Sequence, residues 1–271
     1  MEKVLIGSPV SDRHAYCIER YLACLDEIDY PADVLLVDNS KNMDFFNELS
    51  KIKLKTKKFQ VIRTANDIES AKMRLVECRN ILREEVIKGY DWFLNLEQDV
   101  IPPADVLKKL LSHNKKAISA IYYNIFTIAG KPIELPILYG WFSEDEQKWL
   151  VEHKETLALK NPRFYESLKK EGWSFENIRK HFKKEEVEEP RLLKIKACGM
   201  GCLLIHRSVL EKVAFRFNPN GFDDVLFCLD ARKKANIDIY ADIGVKCLHL
   251  TMKRPWEWQK KDKEYIMKSK N

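Results

Sequence analysis

Hydrophobic residues make up 45% and charged residues 32% of this 271-residue chain, enough apolar content for a real core and too much for a disordered polymer. The length allows one large domain, or one domain with a substantial insertion. A formal net charge of +6, from 47 basic and 41 acidic side chains spread widely, suits anionic substrates or an acidic membrane surface and does not by itself argue for nucleic acid.

Met1 to Ser8 leads straight into a strand, so neither a signal peptide nor a membrane span is expected. Val4-Leu5-Ile6 reads as that strand, closed by Gly7-Ser8-Pro9. Asp12 to Leu25 carries Tyr16, Ile18, Tyr21, Leu22 and Leu25 at helical spacing, with Ser11 or Asp12 as N-cap. Asp33 to Val37 is a second strand, ending in Asp38-Asn39-Ser40, and Phe59 to Ile62 a third. A long helix is expected from Asp67 to Lys88, stopped by Gly89 at C′. Strands alternating with helices indicate an α/β fold: a mixed, mostly parallel sheet flanked by helices. Such sheets bind ligands beyond the carboxyl ends of their strands.

The stretch Tyr90 to Pro102 is the most informative. Trp92, Phe93, Leu94 and Leu96 form a short apolar run, as in a strand buried on both faces. Glu97 and Asp99 follow at its carboxyl end, two residues apart and so on one side of an extended chain. Two adjacent carboxylates repel, and burying them unpaired is costly. A hard divalent cation such as Mg²⁺ or Mn²⁺ removes that conflict. A solvated acidic turn accounts for the same residues, and both readings stay open here.

After Pro103 the pattern changes. Ala104 to His113 is a helix. Ala117 to Phe126 and Ile133 to Tyr139 form a hairpin about Gly130-Lys131-Pro132. Residues 140–190 are dense in Lys and Glu and read as an insertion of short helices within a single domain spanning 1–271. Their aromatic residues, Trp149, Phe164, Tyr165, Trp173, Phe175 and Phe182, are expected to form local core rather than a binding surface. Strands are expected at Leu192 to Ala197 and Cys202 to Ile205, with the tight segment Cys198-Gly199-Met200-Gly201 between them. Ser208 is expected to cap a helix to Val213. Another helix runs from Gly221 to Ala235, where Asp223 and Asp224 complement the helix dipole. Ile237 to Ala241 and Val245 to Leu250 are two further strands, the second holding His249; a lone His in an apolar strand is ordinarily a satisfied core residue. Residues 251–271 are a basic segment carrying Trp256, Trp258 and Tyr265, suited to folding over a site or touching a membrane surface. Seven cysteines, an odd number in mostly apolar surroundings, suggest reduced thiols and a cytoplasmic protein. Cys198 and Cys202 lack a second pair at zinc spacing.

Several of these pieces, in this order and spacing, resemble the GT-A glycosyltransferases, most closely family 2. They are Ser8-Pro9, Val37-Asp38-Asn39-Ser40, Cys78-Arg79-Asn80, Leu94-Asn95-Leu96-Glu97-Gln98-Asp99, Gly199 to Ile205, and Phe222-Asp223-Asp224 to Cys228. The resemblance covers Val4 to about Asp105 and Lys194 to Leu250; residues 139–190 fall outside it. It implies a Rossmann-like GT-A sheet and transfer of a sugar from a UDP- or GDP-linked donor to a hydroxyl acceptor. It implies Mn²⁺ or Mg²⁺ held by Asp99, by Glu97 directly or through water, and by His249. The usual metal motif begins with Asp, and here Glu97 takes that place. Pro9, Asp38, Arg79, Asn80 and Gln98 would line the nucleotide, Asp224 would be the general base of an inverting reaction, and Asp223 would bind the acceptor or orient Asp224. A sugar-phosphate nucleotidyltransferase is a rival, but the segment after the first strand, Gly7 to Arg13, is poor in glycine. A non-enzymatic anion-binding module is the other rival, and carboxylates gathered at strand ends argue against it.

Overall fold

The computed structural model describes residues 2–55, 57–64, 70–128, 131–217 and 223–251. In chain order the elements begin with β1 (Val4–Val10), a 3-10 segment (Asp12–Cys17), α1 (Ile18–Glu27), β2 (Ala32–Asp38), α2 (Asp44–Leu49), β3 (Phe59–Arg63), α3 (Ala71–Gly89), β4 (Trp92–Leu96), β5 (Val100–Ile101) and α4 (Val106–Ser112). Then come β6 (Ala117–Ile121), β7 (Tyr123–Ile128), β8 (Lys131–Pro136), β9 (Leu138–Gly140), α5 (Glu144–Glu152), α6 (Lys154–Lys160) and α7 (Pro162–Lys170). The chain continues with β10 (Lys180–His181), β11 (Leu192–Ile195), β12 (Ala197–Cys198), β13 (Cys202–His206), α8 (Arg207–Leu210), α9 (Asp223–Lys234), β14 (Ile239–Lys246) and β15 (Leu248–His249).

Among the described residues, eight strands form the central sheet in the order β11-β14-β6-β13-β4-β1-β2-β3. Strands β1, β2, β3, β4, β6 and β14 run one way, and β13 and β11 run against them. The fold is therefore the mixed, mostly parallel α/β sheet read from the strand–helix alternation. Successive residues face opposite sides of the sheet. Leu5, Leu35 and Phe93 pack with Cys78, Leu82 and Val86 of α3 and with Phe227 and Ala231 of α9. Val4, Ile6, Trp92 and Leu94 pack on the other side with Tyr21 and Leu25 of α1 and Val106 and Leu110 of α4. Gly7 permits the close approach of α3, because a Cβ there would stand 2.8 Å from Leu82.

The chain leaves β1 toward β2 and β3, then returns to place β4 on the other side of β1. That reversal is where open α/β sheets form a crevice. β1 pairs with β4 only as far as Gly7, opposite Asn95, yet continues beside β2 to Val10. Beyond Gly7 the two strands part. Strand β1 is thus longer than its apolar core, and it tolerates Pro9 because only one neighbour remains there to pair with.

Other boundaries also move. Residues 67–69 of the expected long helix lie outside the described residues; the helix is capped by Ser70 and keeps Gly89 as its last residue, without a left-handed turn. The 3-10 segment takes up the start expected of α1. Lys131 and Pro132, expected in the turn, belong to β8 and pair with Ile128 and Thr127 of β7; Gly130 lies outside the described residues. His206, not Ser208, caps α8, its ring accepting from the Ser208 amide at 3.2 Å. β14 continues through residues 242–244, where a break was expected, because a register shift after Asp242 absorbs Gly244. All seven cysteines are buried and unbridged. Among the described residues no helix is long and apolar enough to cross a membrane. Residues 252–271, with Trp256, Trp258 and Tyr265, lie outside the described residues, as do Gly221 and Phe222.

Candidate active site

Strand β4 ends at Leu96, and the chain turns at once. The Glu97 amide donates to the Gly201 carbonyl at 2.9 Å, and the Val100 amide closes a turn on the Glu97 carbonyl at 3.0 Å. β5 then pairs antiparallel with β15, setting His249 opposite Val100. The Leu250 amide reaches the Asp99 carbonyl at 2.8 Å. This register carries His249, distant in sequence, to the side of Asp99: Nε2 stands 3.5 Å from Asp99 Oδ2.

Arg79 connects the remaining acids. It lies on α3, is 2% exposed, and meets Glu97 Oε1 through Nη2 at 2.6 Å and Asp223 Oδ1 through Nη1. Asp223 is equally buried, and its Oδ2 has no hydrogen-bond partner among the described residues. Asp224 follows at the start of α9. Burial pushes the Glu97 carboxyl upward; Arg79 pulls it back and Asp99 adds to the rise. The side chain is walled by protein on most sides while 31% of its surface still meets solvent. Burial also raises the Asp224 carboxyl, against the pull of the Val225 amide and Arg79. Asp224 Oδ1 accepts from that amide at 2.7 Å.

Glu97, Asp99, Asp223, Asp224, His249 and Arg79 therefore come together from β4, α9, β15 and α3. The expected nucleotide residues are placed differently. Asp38 is fully buried at the end of β2; its Oδ1 accepts from the Ser40 amide at 3.1 Å, Arg63 Nε lies 3.8 Å from Oδ2, and burial raises its pKa. Pro9 is buried within β1. Gln98 is 3% exposed and clamps the segment after β1, accepting from the Ser11 amide and donating to the His14 carbonyl, both at 3.0 Å. Asn80 is spent on the Phe215 backbone, donating to its carbonyl and accepting from its amide at 2.9 Å each. Arg79 and Asn80 thus face protein partners rather than an open rim.

Two groups escaped the sequence reading. His14 reaches Asp99 Oδ2 with Nε2 at 3.7 Å, held by Gln98 and by the Cys17 thiol, which donates to the His14 carbonyl at 3.0 Å. Nothing in the local sequence marks it, since it sits in an irregular turn. Tyr122 is 2% exposed, accepts from the Gly201 amide at 2.7 Å, and meets the His249 ring edge-on at 5.3 Å. It explains the glycine at 201: a Cβ there would overlap the Tyr122 ring.

The donor chemistry suits a hard divalent cation: carboxylate oxygens and one imidazole. His249 Nδ1 lies 2.7 Å from the Tyr123 carbonyl, which can only accept, so Nδ1 carries a proton. Nε2 then turns toward the Asp99 carboxylate, where a lone pair and an anion repel unless a proton or a cation lies between them. A backbone carbonyl holding the far ring nitrogen is the usual support of a metal-binding imidazole. Among the described residues no three His, Cys, Asp or Glu side chains form a ready ligand set. Glu97 is engaged by Arg79.

No family model matches the chain, and no curated protein matches it in sequence. Among solved structures it is similar to the mannosyltransferase PcManGT from Pyrobaculum calidifontis in complex with GDP-Man and Mn²⁺. The TM-score is 0.54 at 13% identity, over 99% of this chain and 63% of that one. It is also similar to residues 1–349 of S. aureus TarS, with a TM-score of 0.51 at 12% identity, over 96% of this chain and 64% of that one. Against a longer form of TarS the TM-score is again 0.51, at 13% identity, over 89% of this chain and 35% of that one. The chain thus spans less than two thirds of each. At these identities the likeness is one of fold, and the fold is GT-A-like.

Proposed function

We propose that the chain is a glycosyltransferase of the family 2 kind, moving a sugar from a nucleoside-diphosphate sugar to an acceptor hydroxyl with inversion. The observation that carries the reading is the meeting of two acid pairs, Glu97 with Asp99 and Asp223 with Asp224, about Arg79 at the crevice of a GT-A-like sheet. The reading treats 1–271 as one domain with an insertion at 140–190 and a basic segment at 251–271. A neighbour of the same fold is a mannosyltransferase solved with GDP-Man and Mn²⁺, which supports a GDP- or UDP-linked donor and a divalent cation here.

Asp99, His249 and Glu97 would hold Mn²⁺ or Mg²⁺. When bound, the cation supplies positive charge where the departing diphosphate gains negative charge. The chain's own residues do the rest. Asp224 takes the proton of the acceptor hydroxyl as that oxygen attacks the anomeric carbon. The bond from this carbon to the diphosphate breaks, and the nucleoside diphosphate leaves with the electron pair. Burial raises the Asp224 pKa and makes it a better proton acceptor than an exposed aspartate. Arg79 holds Asp223 beside it and keeps Glu97 in place, so the acids stay apart without collapse. Asp223 then orients Asp224 or the acceptor. His14 faces Asp99 from the side of β1 and helps to fix that carboxylate.

Thermal melting tests the reading. GDP or UDP should stabilise the protein, more so with Mn²⁺ than with EDTA. Hydrolysis of a panel of sugar nucleotides would then identify the donor. No stabilisation by either nucleotide under either condition defeats the reading.

A further inference from the structure

A hollow of about 450 Å³ lies away from the carboxylates, on the flank of α9. Trp141, Trp173 and Phe175 wall it, and Gln147, Glu176 and Arg232 add polar groups. A second hollow of about 290 Å³ shares Glu176 and Arg232 with it. The mixture is neither a core nor an ordinary charged surface. Trp141 is 38% exposed, with the Arg232 guanidinium 4.7 Å from its ring centre. Trp173 has φ 63° and follows Gly172 at φ 60°. A bulky side chain in the left-handed region is strained, and such strain gathers at functional sites. Its amide closes α7 on the Leu168 carbonyl at 2.8 Å, and Lys154 covers the ring at 4.2 Å.

The wall is held in advance. Lys196 is 1% exposed, and its ammonium donates to the Phe175 carbonyl at 2.8 Å and to the Ile178 carbonyl. Burial pushes its pKa down to about 8. A buried amine holding backbone on both sides of residues 176 and 177 fixes the segment that carries Glu176 and leads to Arg179.

Two paths lead from Asp224 to this hollow. Along α9, Arg232 lies eight residues on, about 12 Å along the axis and about a quarter turn round. Along β9, Tyr139 sits under Arg179 at 4.8 Å, and the charge of Asp224 acts on both. Trp141 is two residues beyond Tyr139, on the same side of an extended chain. The span exceeds one sugar ring and is within reach of a short oligosaccharide.

We propose that this hollow is an acceptor subsite for an oligosaccharide. The sugar units behind the reacting hydroxyl stack their apolar faces on Trp141 and Trp173, and their hydroxyls bond to Gln147, Glu176 and Arg232. Indole rings offer area at little entropic cost, and carboxylate, amide and guanidinium groups pair with hydroxyls in fixed geometry. The proposal rests on the glycosyl-transfer reading of Asp224.

The test titrates the full chain with maltohexaose, cellohexaose, chitohexaose and mannohexaose, following the indole N–H signals by NMR. At least one of the four should shift the Trp141 and Trp173 signals. Trp141→Ala should weaken that sugar about five- to tenfold, Glu176→Gln should weaken it too, and melting with GDP or UDP and Mn²⁺ should not change. Glu176 is exposed, so its variant folds even if a tryptophan variant does not. Failure of all four sugars to bind, or equal binding by wild type and both variants, overturns the subsite while nucleotide stabilisation still upholds the transferase. Sugar binding in a protein that no nucleoside diphosphate stabilises overturns the acceptor role and the transferase reading together.

Discussion

Replacing Arg79 separates a structural role from a nucleotide-binding one. Arg79→Met keeps the aliphatic stem against α3's neighbours and removes the guanidinium. Arg79 and Asp223 are each 2% exposed, so the change strands a carboxylate that water cannot reach, and Glu97 loses its partner as well. Breaking a buried pair by removing one member costs ~3–5 kcal/mol. For a chain of this size that corresponds to a fall in Tm of about 6–20 °C. Urea unfolding of the wild type, Arg79→Met, Asp223→Asn and the double variant measures the coupling directly. The double variant should recover the part of the loss that comes from Asp223, because that buried carboxylate is no longer left alone; the part that stays belongs to Glu97, which still lacks its partner. If Arg79→Met fails to fold, Arg79→Lys replaces it in the cycle, since a single ammonium cannot serve both acids in a fork geometry. A loss below about 1 kcal/mol with a sharp fall in GDP or UDP affinity would refute the reasoning. It would mean that the guanidinium serves the nucleotide and that its bonds to the two acids matter little.

Asp224→Asn should lower kcat by ~10²–10⁴ with nucleoside-diphosphate affinity unchanged, since the amide cannot take a proton; near-normal turnover would remove Asp224 as the base. His249→Ala and Asp99→Asn should each weaken Mn²⁺ binding by about tenfold or more, read by the EPR signal of the free ion without any substrate; unchanged affinity with a lower Tm would mark His249 as a core residue. His181 lies between the rings of Phe126 and Tyr139 at 4.8 and 4.6 Å, and burial pushes its pKa down to about 4. The unfolded chain binds a proton there below about pH 6.5 and the folded chain only below about 4, so this contribution to stability is lost as pH falls across that window. His181→Gln should flatten the acid limb of Tm against pH between those values, and an unaltered limb would count against a buried neutral imidazole.

Local pattern was enough for much of the architecture. The run Trp92 to Leu96 is apolar at every second and intervening position save Asn95, and it is buried on both faces. Cys78, Leu82 and Val86 recur every fourth residue, and they form the inner stripe of α3. These patterns carry their meaning within a few residues, because hydrophobic period is a property of the segment itself. The acids also stood out by type and place: Glu97, Asp99, Asp223 and Asp224 each follow or open a recognisable element. Their neighbours could not be read that way. His249 reaches Asp99 because β15 pairs with β5 in one particular register, and register depends on the whole sheet. His14 arrives from an irregular turn that Gln98 holds in place. The resemblance sets Arg79 against a nucleotide, yet packing turns it inward between two acids more than fifteen residues away in sequence. A charge is buried only where partners from other elements offset its desolvation, and no single stretch of sequence contains those partners.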